Sequence, residues 1–496
     1  MTPIPITLER YAPDLDPLVA GRILALTSMV PSVKGWAGAP TARSLGISAL
    51  AAACKGAARL EKIDSSARLF AGTNTKLYEL SGTSWTDRTR AVGGDYALST
   101  YTRWSFAQFG NVSLAASKSD ILQFSSSGAF ANVGASIPKI GIIETVGNFV
   151  LGFDINDQGA LGPNEDNQQR WWCAAIGTYD NWTPSIANQC ATATLRSTPG
   201  GVKAAKRFGT TIMAYKERSM FQGIYVGQPY VWDFREIPGE AGCLGIYAVV
   251  DIGTPENPIH IFMGAEDFYI YDGSRPLPIG YGIKNEVFGE LDRDSASQVQ
   301  ALHDSINKRV FFFYPVSGGS VPDKCVVYNY QSQRWGRDNR AVEAVVRYAP
   351  PSVSYDGLGA LYSTYNDFPN LSYDSAFAAP SNFLPGIFDN THTLKTLDGS
   401  PTGGAMTLGE MGNSHEMTVL SRVSPRWLTR PSTADMTNYY KMATGDPLTT
   451  DLTTPMDSRG RFDLMREALW HKVAFNFAGP VELNTLDAEM IPGGGA

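Results

Sequence analysis

Charge is scarce in this chain of 496 residues: Asp, Glu, Lys and Arg together make 18%, against roughly 25% in an average soluble protein. Histidine is scarcer, with five residues (His260, His303, His392, His415, His471), no two at metal-ligand spacing. Five cysteines (Cys54, Cys173, Cys190, Cys243, Cys325) are scattered without a C-x-x-C pair. An odd, dispersed set argues for free buried thiols over a disulfide framework or a zinc site, Cys173 and Cys190 being the one pair near enough in sequence to consider. No run approaches the ~18 apolar residues of a membrane-spanning helix, so no membrane-spanning segment is expected. Residues Met1–Thr7 lack the basic and apolar regions of a secretory signal, which gives an expectation of synthesis in a cytoplasm. The P-loop, the G-x-S-x-G elbow and the H-E-x-x-H helix are all missing. His303-Asp304-Ser305 carries the letters of a triad, but adjacent residues point in different directions. No enzyme activity, cofactor or metal site is therefore expected. The net charge of −7 disfavours a conventional nucleic-acid binder but suits a wall past which DNA slides, because like charges repel.

What is present is aromatic residues, at 11%, together with 49 Gly and 30 Pro. That composition, with a hydrophobic content of 43%, predicts an ordered all-β protein of many short strands. Phe149–Phe153, Thr211–Tyr215, Phe268–Tyr271 and Val310–Tyr314 read as such strands. Ser48–Leu60 is Ala-rich but carries Gly56, and reads equally as helix or strand.

Internal repetition is the informative feature. Ala107–Ala115, Glu144–Gly152 and Lys206–Ala214 align without gaps: apolar, Gly, polar, two mixed residues, Leu or Met, then a small residue. Leu69–Leu80 and Ile261–Asp272 share a looser strand-turn-strand theme, and Tyr78 with Trp85 and Tyr328 with Trp335 repeat a seven-residue spacing. Glycines 72, 110, 147, 209 and 264 fall at intervals that fit propeller blades of ~40–50 residues when some carry inserted loops. The fold expected is all-β: a β-propeller, six blades favoured and seven allowed, with long inserted loops and a C-terminal β extension. Stacked sandwiches or barrels are the competing architecture.

Candidate chemistry is thin. Asp154, Asp157, Glu165 and Asp166 could bind Ca²⁺, but their spacing fits no EF-type loop and a solvated loop is the simpler reading. Trp171, Trp172 and Trp182 could stack on sugar rings, or pack between sheets. Lys203, Lys206 and Arg207 form a modest basic cluster that reads as a solvated strand end. A monomeric carbohydrate-binding propeller, and a propeller hydrolase with converging carboxylates, are alternative functions.

Tyr11–Leu15, Lys34–Pro40, Leu69–Thr73, Trp104–Asn111, Arg170–Trp172, Asp180–Pro184, Tyr215–Met220, Arg334–Gly336 and Trp470-His471, in this order from about residue 10 to 480, carry a family resemblance. The chain resembles the tail nozzle, packaged-DNA stabilisation or tail hub proteins of short-tailed bacteriophages. The resemblance implies a β-propeller without catalytic residues, assembled as a homo-hexamer below the portal and adaptor rings of the virion. Tail spikes or fibres would attach around that stack. The ring would continue the DNA channel, retain packaged double-stranded DNA and conduct it without sequence-specific binding. On this reading residues 1–60 are an N-terminal segment with the first closing strands and 61–365 the propeller core. Residues 366–404 are a loop-rich extension, and 405–496 complete the propeller or form the nozzle tip. Loops 154–169, 316–324 and 368–404 are the candidate inter-subunit and partner contacts, with Asp154, Asp157, Glu165, Asp166, Asp323, Lys324, Asp389 and Asn390 the residues singled out.

Overall fold

In the computed structural model, residues 4–134, 137–160, 166–319, 321–349 and 383–493 are described. Short antiparallel strands dominate. Four sheets contain a single four-stranded unit each, the eight-stranded sheet is two such units joined at the pair Ile121↔Lys139, and the ten-stranded sheet begins with another. Seven four-stranded units result, in chain order. Their innermost strands are Gly56–Glu61, Ser105–Phe109, Lys139–Val146, Val202–Phe208, Val249–Asp251, Gln300–Asp304 and Ala344–Tyr348. Each innermost strand packs against the next, and the seventh packs against the first. The chain is a seven-bladed β-propeller, the higher of the two blade counts that the repeats allow.

Closure uses both ends of the chain. Blade 7 takes its first three strands from Ala344–Tyr348, Leu384–Phe388 and Leu394–Gly399, and its outer strand from Thr41–Ser44. Pairing the ends this way leaves the ring no open seam. The stretch 366–404, expected to be loop-rich, therefore supplies two blade strands; its earlier part lies outside the described residues. Ser48–Lys55 forms neither helix nor strand, and a strand begins at Gly56 with φ +149°, a conformation that disfavours any L side chain.

The three aligned repeats are one feature, the hairpin between the first and second strands of blades 2, 3 and 4. Phe109↔Val112, Val146↔Phe149 and Phe208↔Thr211 close two-residue loops. Glycine occupies the first loop position each time, with φ of +58°, +55° and +60° at Gly110, Gly147 and Gly209. Only a residue without Cβ enters that region without cost, and the turn matches the strand twist. A Cβ at Gly147 would meet nothing, so Gly147→Ala isolates the backbone strain and should lower stability by about 1–2 kcal/mol in urea titration. At Gly209 a Cβ would also lie 3.2 Å from the Pro255 carbonyl oxygen, and the loss should be larger.

Blades are covered on both faces, so their inner strands read as continuous apolar runs instead of alternating ones. Val310–Tyr314 is wholly buried, and Phe268 packs at 5.0 Å from Phe312 and 4.6 Å from Trp335 where blades 5 and 6 meet.

Outside the ring, the two chain ends build a β-sandwich. One sheet holds Met29–Pro31, Trp36–Gly38, Glu482–Pro492, Thr418–Thr429 and Phe462–Ala468, with Ile4–Thr7 beside Glu482–Pro492. The other holds Ile23–Thr27, Gly403–Leu408, Trp470–Ala478, Thr433–Lys441 and Thr449–Pro455. The first sheet continues the outer strand of blade 6, Arg334–Asp338, through the pair Arg337↔Met29. Leu420, Val423, Phe475 and Leu486 of the sandwich share one buried cluster with Phe268 and Phe312 of the blades. The sandwich is thus an arm built onto the edge of blade 6, not a tethered module.

A part-buried ionic network locks that junction. Helix α1 (Lys284–Glu290) connects blades 5 and 6, and the Asp14 carboxylate accepts from the N–H groups of Asn285 and Glu286 at 2.7 and 3.0 Å. Arg337 reaches Glu286 at 2.7 Å and also pairs with Glu290, while the Tyr11 hydroxyl donates to Glu286.

Candidate functional site

Antiparallel blades sort their connections onto two faces. Hairpins between first and second, and third and fourth, strands lie on one face. Connections between second and third strands, and from blade to blade, lie on the other, called here the loop face. Asp154, Asp157 and Asp166 flank the second-to-third connection of blade 3. Asp323 and Lys324 end that of blade 6, and Asp389 and Asn390 begin that of blade 7. All these residues belong to the loop face, but blade 3 stands across the ring from blades 6 and 7, so they form no single cluster. Glu165 lies outside the described residues.

The carboxylates of Asp154, Asp157, Asp166 and Asp389 each have a local partner. Lys118 of blade 2 bridges Asp154 and Asp166 at 2.6 Å each. Asp154 sits at positive φ in a strand irregularity, and burial raises its carboxyl above the usual range against the pull of Lys118. Gly141 makes room for it: a Cβ there would lie 2.7 Å from Asp154 Oδ2. Asp157 is buried, pairs with Arg170, and accepts from the Gly159 N–H at 3.0 Å. Asp389 pairs with Lys395 at 2.5 Å and accepts from Thr391, a turn-forming arrangement, with Asn390 exposed at its tip. Asp323 and Lys324 join their loop to the blade through backbone bonds, Arg340 N–H donating to the Asp323 carbonyl at 3.0 Å. Among the described residues no three His, Cys, Asp or Glu side chains are grouped to hold a metal.

The indoles pack. Trp171, Trp172 and Trp182 are 4%, 2% and 3% exposed; Trp171 packs at 4.9 Å, tilted, against Phe234 of blade 4, and the Trp182 N–H donates to the Tyr179 carbonyl at 2.9 Å. All five cysteines are free and buried; burial pushes the Cys173 and Cys190 thiols up to about 12 and 11. Lys203, Lys206 and Arg207 share one strand without making one patch. Lys206 stands 4.0 Å from Glu144, and Arg207 donates to the Gly209 carbonyl at 2.8 Å, while Lys203 lines the centre of the loop face.

That centre is held by side-chain bonds across the ring. Side chains reach across the propeller axis between blades that are not neighbours. The Tyr247 hydroxyl, ahead of blade 5, donates to the Trp104 carbonyl of blade 2 at 2.5 Å. Gln298, ahead of blade 6, donates to the Tyr101 carbonyl at 3.0 Å. Arg103 of blade 2 donates to the Glu343 carbonyl ahead of blade 7 at 2.7 Å. The Gln300 amide, turned so that its oxygen faces Arg103, accepts from all three guanidinium nitrogens at 2.8–3.3 Å. These bonds brace the axis and close it on the loop face. Above them opens a cleft of about 240 Å³ lined by Tyr101, Arg103, Lys118, Asp154, Lys203 and Ser297, among others. Arg103, Tyr247, Gln298 and Gln300 are single polar residues at blade entrances, and no local sequence pattern marks them.

At the other end of the axis Arg59 and Arg347 flank the Phe383 ring at 5.1 and 4.3 Å. His303 lies near, its Nε2 3.2 Å from the Tyr330 hydroxyl. Burial first, then Arg347 and Lys308, hold His303 down at about 4, against an ordinary 6.5. Between those values the unfolded chain binds the proton and the folded chain does not, so stability falls as pH falls through that window. His303→Gln should flatten the acid limb of the stability curve by about 1.4 kcal/mol per pH unit there, measured by urea titration at several pH values.

No family model matches the sequence, and no curated protein is similar to it. Similar solved structures include YCF48 bound to D1 peptide (13% identity, TM-score 0.38, 74% of this chain and 97% of that one). YCF48 from Cyanidioschyzon merolae covers 63% of this chain and 94% of its own at 11% identity and TM-score 0.35. The exo-β-1,3-galactanase of Phanerochaete chrysosporium, with galactose, covers 91% and 100% at 10% identity and TM-score 0.29. At such overlaps the fold rests on the strand pairing itself. No helix among the described residues is long and apolar enough to cross a membrane.

Proposed function

We propose that the chain is a structural protein of a short-tailed phage virion, the tail nozzle subunit, acting through assembly and not through chemistry. Six copies would form a ring below the adaptor, carry tail spikes or fibres at its flank, and surround the packaged double-stranded DNA. The observation that carries this reading is the free end of the sandwich arm. Among the described residues Thr449–Pro455 and Phe462–Ala468 are the last strands of their sheets, each paired on one side only. Arg466 and Asp451, 2.6 Å apart, tie the two edges together. Beside that pair Leu452 and Met465 are 84% and 82% exposed. Open strand edges bearing large apolar side chains are surfaces that a partner chain normally covers.

The rest of the molecule is consistent with a stiff ring segment. The arm shares its core with the blades, and the axis is braced by cross-ring bonds. Because the subunit's own axis is closed, DNA would pass only through the central hole of the assembly. There a subunit of net charge −7 would repel phosphate and keep friction low. A cyclic ring requires head-to-tail contacts that close. The carbohydrate-binding alternative needs stacking platforms other than the three buried indoles.

Native mass by light scattering tests the proposal, on the chain alone and mixed with a phage adaptor ring. A hexamer, or a monomer that becomes hexameric on the adaptor, is expected. A monomer under both conditions refutes it.

A further inference from the structure

We infer that the axial cleft on the loop face binds a compact oxyanion of the phosphate class, held by Arg103 and Lys203 with Lys118 at its rim. The cleft, about 240 Å³, is large enough for such an ion with part of its water shell. Three cations line it, Arg103, Lys118 and Lys203, and one carboxylate, Asp154. Even counting Asp166, which reaches Lys118 from outside, positive charge exceeds negative.

Arg103 is the decisive residue. It is 9% exposed, and its hydrogen-bond acceptors are carbonyl oxygens, of Glu343 and of Gln300; the Glu343 carboxylate acts on it from beyond salt-bridge distance. A guanidinium enclosed this way keeps its charge against burial, which pushes its pKa down to about 10. Carbonyl dipoles satisfy its N–H groups but do not neutralise it. Lys203, half-buried on the first strand of blade 4, likewise has no ion-pair partner among the described residues. Arg103 and Lys203 each lack a salt-bridge partner among the described residues, the Glu343 and Asp154 carboxylates acting on them only from farther away, so an anion placed between them would gain direct contacts that these carboxylates do not make.

At two glycines the walls of the cleft pack closely. A Cβ at Gly245 would lie 2.5 Å from the Ser297 carbonyl oxygen, and one at Gly141 2.7 Å from Asp154 Oδ2. Both glycines line the cleft, with the Ser297 and Thr102 residues adding neutral polar groups to its wall. This site is independent of ring assembly, and either inference can fail alone.

Isothermal titration of the full chain with inorganic phosphate, and separately with a nucleoside monophosphate, tests the site at constant ionic strength against chloride. One saturable site per chain is expected, with a matching rise in melting temperature. Lys203→Ala should weaken it about tenfold, the size of a lost charge-assisted hydrogen bond, and Lys203→Glu should abolish it. Lys203 is on the cleft wall and its side chain makes no hydrogen bond or salt bridge among the described residues, so these variants carry the test if Arg103→Gln fails to fold; if it folds, it too should lose binding. Equal affinities for the two probes identify a free oxyanion, and tighter nucleotide binding identifies a nucleotide phosphate. No saturable heat at tens of millimolar phosphate, or unchanged affinity in both Lys203 variants, overturns the inference.

Discussion

Glutamate at both Leu452 and Met465 should keep the chain from forming the proposed ring while leaving the fold intact. These side chains are 84% and 82% exposed in the isolated chain, so their replacement removes nothing from its core, and the stability change should stay within ~0.5 kcal/mol. In a ring they would be covered, and two buried unpaired carboxylates at each contact would cost several kcal/mol per interface, enough to open it. Light scattering and thermal unfolding on the same samples separate the two effects. A ring that survives the double substitution places the subunit contact elsewhere on the molecule. A drop in melting temperature of the monomer would instead show that the arm's edge supports its own fold.

Arg337→Met should destabilise the chain by about 3 kcal/mol, the low end of the cost of breaking a buried pair from one side, because both carboxylates stay about 30% exposed. Arg337 is 8% exposed and is the cation shared by Glu286 and Glu290. Burial already raises the Glu286 carboxyl, and Arg337 is among the groups that pull it down. Without Arg337 that pull is lost and the folded-state pKa rises further. Above the unfolded value of 4.5 the folded chain then binds more protons than the unfolded chain, so stability falls as pH rises through that window. The variant should therefore recover part of its loss on acidification toward pH 5. Adding Glu286→Gln and Glu290→Gln should recover part of it at neutral pH. Urea titrations across pH measure both effects. A loss under 1 kcal/mol, flat with pH, would mean that the junction between arm and propeller holds by apolar packing alone.

The propeller was legible in the sequence where one physical demand recurs. Gly110, Gly147 and Gly209 mark the same turn in three consecutive blades because each hairpin requires positive φ at that place. Gly72 and Gly264 do a different job, closing the second strand of blade 1 and following that of blade 5, so spacing across all five glycines mixes two positions and blurs the period. Blade 7 was hardest to count, because its strands come from residues 344–399 and from Thr41–Ser44. Pairing across three hundred residues leaves no local pattern. The same holds for the sandwich, where Ile4–Thr7 pairs with Glu482–Pro492 and Ile23–Thr27 with Gly403–Leu408. Its strands could be read individually, but not that both chain ends form one body.

The candidate site residues show a related division. Asp154, Asp157 and Asp166 stand out in sequence as an acidic loop, yet in space Lys118 and Arg170 take them up. Arg103 carries no signal in sequence, yet its contacts cross the axis to blades 6 and 7. Periodicity reports which residues fill a blade; it says nothing about which polar residues meet at the axis, because that depends on closure of the whole ring.

The most direct measurement is an electron cryo-microscopy reconstruction of the chain bound to a phage adaptor ring. The tail-nozzle account predicts six subunits around a central hole wider than a DNA duplex, with the edges bearing Leu452 and Met465 covered by the neighbouring subunit. A single subunit with free arm edges, or a closed ring too narrow for duplex DNA, would contradict it.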